Sequence, residues 1–211
     1  MNKGVELAAE LTEVAVKSQL LTGIAKDIPY VSTLLKAWNL SDSIRDRMFV
    51  VKVMRFLETL DDVTGKERED MSSKIKYVNQ DDLNSATDKI LFCIESITDI
   101  DKSEFIANIF IAFIYEKVSE KDLRRFIDII QVTFLDELKD YVTSFSDCTF
   151  IAEEELIRDD ILSLTDTPLF THYRDDQLDN IKKLLFKETN IGFKFRAAFN
   201  FGKEKREAEN Y

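Results

Sequence analysis

The chain has 211 residues, 45% of them hydrophobic and 33% charged, so it can bury a sizeable core and stay soluble. Disorder is thereby excluded as a description of the whole chain. Five glycines and two prolines are far fewer than a turn-rich β-sandwich or barrel needs. The composition predicts a mainly α fold.

The charge is strongly acidic, with 40 Asp and Glu against 29 Lys and Arg and a formal net charge of −11. Such a charge opposes unspecific binding to nucleic-acid phosphates and to anionic lipid. The first residues lack the continuous apolar stretch of a signal peptide, because Glu6, Glu10 and Glu13 interrupt them. We therefore expect a cytoplasmic protein.

The apolar spacing of residues 5–21 predicts an amphipathic first helix with an acidic polar face. Pro29 then predicts a break, because the residue before a proline is biased away from the helical region. An apolar segment over 30–38 follows, where a second helix is expected to start.

The next helix is predicted from Ser41 or Asp42 to Leu60, with apolar residues every three to four positions. It carries a basic stripe, which we interpret as a solvated face that pairs with acids of the same segment. The stripe consists of Arg45, Arg47, Lys52 and Arg55, and the expected partners are Asp42, Asp46 and Glu58.

Four residues with good capping side chains then occur within sixty positions, which predicts a compact multi-helix bundle over residues 1–145. Thr64, Asn79, Asp101 and Ser119 are expected to open helices that reach Tyr77, Ile97, about residue 117 and about residue 141. The apolar stretch 105–115 is shorter than the roughly 20 residues that cross a bilayer. We interpret it as a core helix and expect no stable membrane insertion.

A small C-terminal module is predicted over residues 146–202, with a short acidic helix near 152–163 and room for a short β-hairpin. Residues 191–201 fit two patterns, a strand of alternating apolar residues and an amphipathic helix. We favour a strand that ends near Glu188, followed by a helix. Residues 203–211 form a charged tail, which is expected to fray or be disordered.

No catalytic constellation is apparent, so we expect a protein that is not an enzyme and has no cofactor. The sole histidine, His172, could activate Cys148 only if the fold brought the two together. Cys93 lies in an apolar run and is expected to be a buried free thiol. Zinc ligands are too few, and a calcium loop starting at Asp99 lacks the sixth-position glycine and has Phe110 at position twelve, so no metal site is predicted.

One segment mixes phenylalanines with basic residues in a way that suits nucleic acid, because bases stack on aromatic rings and phosphates pair with Lys and Arg. Its residues are Lys187, Phe193, Lys194, Phe195, Arg196 and Lys203. The alternative is that the phenylalanines pack inside the terminal module, and the net charge favours that alternative.

About half of the chain resembles a family of uncharacterised bacterial proteins with a helical region and a winged-helix-like C-terminal end. The resembling stretches are 27–31 through 43–47, 51–57, and 97–102 through 113–115, and residues 186–192 are similar to the strand-to-helix junction there. The resemblance implies a final helix and suggests a role in bacterial stress or phage defence. It implies no activity, cofactor or catalytic position.

These features favour a non-enzymatic module that binds another protein or itself, in which the acidic bundle recognises a basic partner. One alternative is a regulator that associates with nucleic acid through the Phe/Lys/Arg segment. Another is a membrane-acting effector in which the first helix and the helix over 105–115 rearrange.

Overall fold

The computed structural model describes residues 27–28, 44–63, 65–144, 151–173 and 185–207. The predicted first helix and the apolar segment over 30–38 lie outside the described residues, as do Thr64 and Cys148.

The described residues form eight α-helices, one 3₁₀ helix and three short strands, which confirms the mainly α fold class with a small β element near the C-terminus. The helices are α1 (Ile44–Asp61), α2 (Gly65–Tyr77), α3 (Gln80–Ser96), α4 (Lys102–Ile114), α5 (Glu120–Val132), α6 (Leu135–Ser144), α7 (Glu153–Arg158) and α8 (Asn190–Glu207). The strands are β1 (Ile151–Ala152), β2 (Phe170–Tyr173) and β3 (Leu185–Glu188), and the 3₁₀ helix is Leu162–Asp166.

Helix α4 lies at the centre of the bundle. Every residue from Phe105 to Ile114 is buried, and α1, α2, α5 and α8 all pack against α4. A helix that is apolar on all sides is stable in water only when other elements cover it. The interpretation of this stretch as a core helix is confirmed.

Helix α8 joins the C-terminal segment to the same core. The ring of Phe199 stacks on that of Phe105, with centroids 4.3 Å apart, and Phe195 meets Phe126 edge to face at 5.4 Å. Residues 195 and 199 are one helical turn apart and share a face. The helix predicted over 191–201 is therefore confirmed, and the alternating strand is wrong. The predicted domain boundary near residue 146 stays a prediction.

The last turn of α8 corrects the prediction of a frayed tail for residues 203–207, which are helical. Lys205 Nζ donates to both carboxylate oxygens of Glu67, at 3.0 and 3.1 Å. Arg206 donates from both terminal nitrogens to Glu104 Oε1, each at 3.1 Å. These ion pairs tie the end of α8 to α2 and α4. Residues 208–211 lie outside the described part of the chain.

A single helix predicted over 120–141 is wrong, because the chain breaks between α5 and α6. Thr133 has an extended backbone, with φ −92° and ψ 158°. Its amide and its hydroxyl both donate to Ile129 O, at 3.1 and 2.7 Å. A threonine hydroxyl that bonds back to the preceding turn competes with helix continuation.

Two of the predicted caps are confirmed. Asn79 Oδ1 accepts hydrogen bonds from the amides of Asp81 and Asp82, and Ser119 Oγ accepts one from Asp122 N at 3.1 Å. The prediction for Asp101 is wrong, because its carboxylate makes no capping hydrogen bond.

The three strands form an antiparallel sheet in the order β1-β3-β2. Phe186 of β3 is the shared register position, opposite Ile151 on one side and His172 on the other. The acidic helix predicted near 152–163 is shorter, since α7 ends at Arg158 and a 3₁₀ turn follows.

Gly202 allows α8 to cross α4 at very close range. A Cβ at this position would lie 2.1 Å from Asn108 O, which is backbone within a buried helix and has no room to move. We expect Gly202→Ala to lower the free energy of unfolding by about 3 kcal/mol, measured by urea unfolding.

Gly65→Ala is the matched control, since a Cβ there meets nothing within 4 Å. It should leave the free energy of unfolding unchanged or raise it by up to about 1 kcal/mol. Equal stabilities of the two variants would contradict the close crossing.

Candidate functional site

Helices α3 and α5 lie side by side and run in the same direction. Lys89 of α3 pairs with Asp128 of α5. Farther along both helices, Gln131 Nε2 donates to Ser96 Oγ at 2.8 Å. Because the paired residues follow the same order on both helices, the C-terminal ends of α3 and α5 lie together.

Cys93 packs between these two helices. It is fully buried, and its thiol donates weakly to Ile127 O of α5 at 3.8 Å. Burial raises the pKa of the thiol to about 11, although the nearby charges of Lys102 and Lys89 lower it somewhat. A thiol that stays protonated is unreactive. The prediction that Cys93 is a buried free thiol is confirmed.

A buried lysine of α1 fixes the end of α3. Lys52 is 6% exposed, and its ammonium group donates to Ile97 O and, at 3.1 Å, to Glu95 O. A cation at this position also suits the negative end of the helix dipole. Burial lowers the pKa of Lys52, and the charge of Glu95 opposes this effect.

The basic stripe of α1 is not the wholly solvated face predicted for it, because Lys52 is buried. Arg45 pairs with Glu95 of α3, and Arg55 donates to Glu104 of α4 at 3.1 Å. These two partners belong to other helices because α1 packs against α3 and α4. The side chains of Arg47 and of the expected partners Asp42 and Asp46 lie outside the described part of the chain.

A second buried lysine, from the first turn of α4, fixes the end of α5. Lys102 is 7% exposed, and its ammonium group donates to Gln131 O at 3.3 Å. Burial lowers the pKa of Lys102 as well. Each of the two adjacent helix ends is thus held by an ammonium group from a neighbouring helix.

Three large apolar side chains project into solvent at this end of α3 and α5. Phe92 is 62% exposed, Val132 75% and Phe134 72%. Phe92 lies one turn before Ser96, which is bonded to Gln131. Val132 directly follows Gln131, and Phe134 lies three residues after it. We call these three residues the apolar end. A cluster of exposed apolar groups on a rigid base is typical of an interaction surface.

Other exposed apolar residues among those described are more scattered. They are Met48 and Val51 on α1, Tyr77 on α2, Ile157 on α7 and Phe193 on α8. Residues 29–43 precede α1 in sequence and lie outside the described part of the chain, so we assign no site to Met48 and Val51. The apolar end is the clearest candidate for a binding surface.

The charged residues near the apolar end in sequence, together with their ion-pair partners, are mostly acidic, and we call them its rim. The acidic residues are Asp88, Glu95, Asp99, Asp128 and Asp136, and the basic residues are Arg45, Lys89 and Lys139. The basic side chains already have acidic partners, Glu95, Asp128 and Asp136. An apolar centre with a charged, hydrated rim is the usual anatomy of a protein interface.

The residues predicted for nucleic-acid binding have mostly intramolecular partners. Phe195 is buried, Lys194 Nζ donates to Asp122 at 2.9 Å, and Arg196 donates to both carboxylate oxygens of Glu188 at 3.2 and 3.0 Å. Tyr141 hydroxyl donates to the same glutamate. These contacts join α8 to α5, α6 and β3.

The remaining three predicted residues lie on two elements, α8 and β3. Phe193 is exposed on α8, Lys203 lies 3.8 Å from Glu207, and Lys187 is exposed on β3. A nucleic-acid role of the six residues stays a prediction.

His172 lies on β2, exposed, with its ring centroid 4.8 Å from that of Phe186. A pairing with Cys148 falls outside the described residues. Within the described ranges, no group of three His, Cys, Asp or Glu side chains could hold a metal ion. None of the described helices is long and apolar enough to cross a membrane.

Sequence reasoning did not single out the apolar end, although a signal was present. Residues 90–94 are five consecutive apolar residues on a helix, so their side chains point to more than one side of it. A helix that is covered on one side only exposes part of such a run, and here the exposed residue is Phe92.

Comparisons with protein families, curated proteins and solved structures found no match to this chain. The resemblance to uncharacterised bacterial proteins stays a prediction. The function is therefore inferred from sequence and geometry.

The contact between Lys194 and Asp122 predicts a specific dependence of stability on pH. The hydrogen bond from Lys194 lowers the pKa of Asp122 below its ordinary 3.8, although burial opposes this. A carboxyl group with a lower pKa in the folded state stabilises the fold above its unfolded pKa, and this stabilisation is lost as the pH falls through the folded value.

Lys194→Met should lower the free energy of unfolding at pH 7 by less than about 1 kcal/mol, because Lys194 is half exposed. The difference from the unmodified protein should shrink as the pH falls and vanish below the folded-state pKa of Asp122, where this group is protonated in both states. Urea unfolding at several pH values measures it. If the two proteins differ in stability as much at low pH as at pH 7, Lys194 contributes through packing and not through its charge.

Proposed function

We propose that this protein binds another protein, without catalysis, and that the apolar end is the binding surface. The observation that carries the proposal is the exposure of Phe92, Val132 and Phe134 together on two helix ends held by buried lysines. Aromatic side chains near the centre of a patch are the usual anchors of protein interfaces. A rigid base lowers the entropy lost on binding.

The partner proposed is a basic one. The acidic rim and the net charge of −11 attract positive charge and speed its approach. Two copies of this chain would repel each other, which favours a different protein over self-association. An amphipathic helix with an apolar stripe and basic flanks has the required chemistry.

The apolar end supplies part of the free energy that specific binding requires. Covering the exposed parts of three such side chains contributes about 3–6 kcal/mol before the costs of association. Charge pairs at the rim add mainly to the association rate and to specificity.

Capture of the tagged protein from lysate of its native host, treated with nuclease, tests the proposal. We expect a protein partner in stoichiometric amount. A triple variant with Phe92→Ser, Val132→Ser and Phe134→Ser should lose at least about nine-tenths of it, since anchor residues each cost over 1 kcal/mol when truncated.

The control replaces two equally exposed apolar residues elsewhere, Tyr77→Ser and Ile157→Ser, and should retain the partner. Both variants alter exposed side chains, so their urea unfolding should stay within about 0.5 kcal/mol of the unmodified protein. Equal retention by the triple variant would contradict the proposal, as would capture of nucleic acid alone. If sedimentation shows a dimer of the unmodified protein and a monomer of the triple variant, the partner is a second copy of this chain and not a basic protein.

A further inference from the structure

Three lysines surround two aromatic rings where α2, the end of α4 and α8 meet. Lys74 Nζ lies 5.2 Å and Lys205 Nζ 4.9 Å from the ring centroid of Tyr115. Lys117 Nζ lies 5.7 Å from the centroid of Phe201. The two rings meet edge to face at 5.6 Å. We call these five residues the lysine cluster.

Glu67, an acidic residue beside the lysine cluster, is already engaged in hydrogen bonds and an ion pair. Glu67 accepts a hydrogen bond from the Tyr115 hydroxyl at 2.8 Å and is paired with Lys205. Burial raises the pKa of Glu67, but the bonds from Tyr115 and Lys205 outweigh it and hold the pKa below its ordinary value. Burial, Glu67 and Asp70 raise the pKa of Tyr115 and keep its hydroxyl protonated.

Lys74 and Lys117 differ from Lys205 in having ring faces as their contacts. Neither forms an ion pair within 4.0 Å among the residues that the structure describes. A cation over a ring gains about 0.5–1 kcal/mol at an exposed site, less than a charge-assisted hydrogen bond provides. Acidic residues outnumber basic ones in this chain by 40 to 29, so ammonium groups without an acid stand out.

We propose that the lysine cluster binds a small polyphosphate, with Lys74 and Lys117 as the direct ligands. Lysine is a compact point charge that suits phosphoryl oxygens. The two ammonium groups lie over two neighbouring rings, and an anion that carries charge on more than one phosphoryl group can contact both. Glu67 and Tyr115 hold Lys205 at the edge of the site. The remaining negative charge of the protein is screened beyond about 10 Å at 0.1 M salt.

Titration calorimetry of the full chain, starting at about 0.1 M salt, with inorganic pyrophosphate and triphosphate as probes, tests this site. We expect saturable binding that weakens as salt is added. Lys74→Gln and Lys117→Gln should each weaken it about tenfold, and the double variant should show none. Lys76→Gln, an exposed residue of the same helix, is the matched control and should leave the affinity unchanged.

Circular dichroism and thermal unfolding confirm that the variants fold, and pyrophosphate should raise the melting temperature of the unmodified protein but not of the double variant. The proposal is overturned if neither probe binds, or if the double variant binds as well as the control. It also fails if orthophosphate binds as tightly as pyrophosphate. Binding of a single-stranded oligonucleotide in preference to both probes would assign the cluster to nucleic acid instead.

Discussion

The fold depends on the complete burial of helix α4. Its residues from Phe105 to Ile114 are apolar on every side apart from Asn108, so other helices must cover it entirely. The close crossing at Gly202 brings α8 onto one side, and α1 and α5 cover others. The first residue of α4, Lys102, then reaches the last carbonyls of α5. The central helix thereby also sets where a neighbouring helix ends.

The two proposed sites follow from how the covering helices end. At the C-terminal ends of α3 and α5, buried lysines donate to the terminal carbonyls, and large apolar side chains nearby in sequence are exposed. At the end of α4, the last turn of α8 brings Lys205 to Tyr115 and Phe201. One surface is apolar with an acidic rim, and the other is aromatic and basic, so the two suit different ligands.

What could be predicted from the sequence is mostly local. Asn79 and Ser119 cap helices by accepting hydrogen bonds from amides two or three residues away. The core helix α4 is recognisable in the sequence as a long apolar run. Distant pairings were not predictable, because spacing along the chain says nothing about which helices become neighbours. The burial of Lys52 and the pairing of Lys205 with Glu67 are of this kind. The break at Thr133 was missed because neither glycine nor proline marks it.

The central claim is that the apolar end contacts a basic protein in the cell, and site-specific photo-crosslinking tests it most directly. A benzophenone amino acid would replace Phe134 or, in a separate strain of the native host, Phe193, which is exposed on α8. Our account predicts that position 134 crosslinks to one main protein, which is basic, and that position 193 does not crosslink to that protein. The same adducts at both positions, or none at position 134, would contradict it.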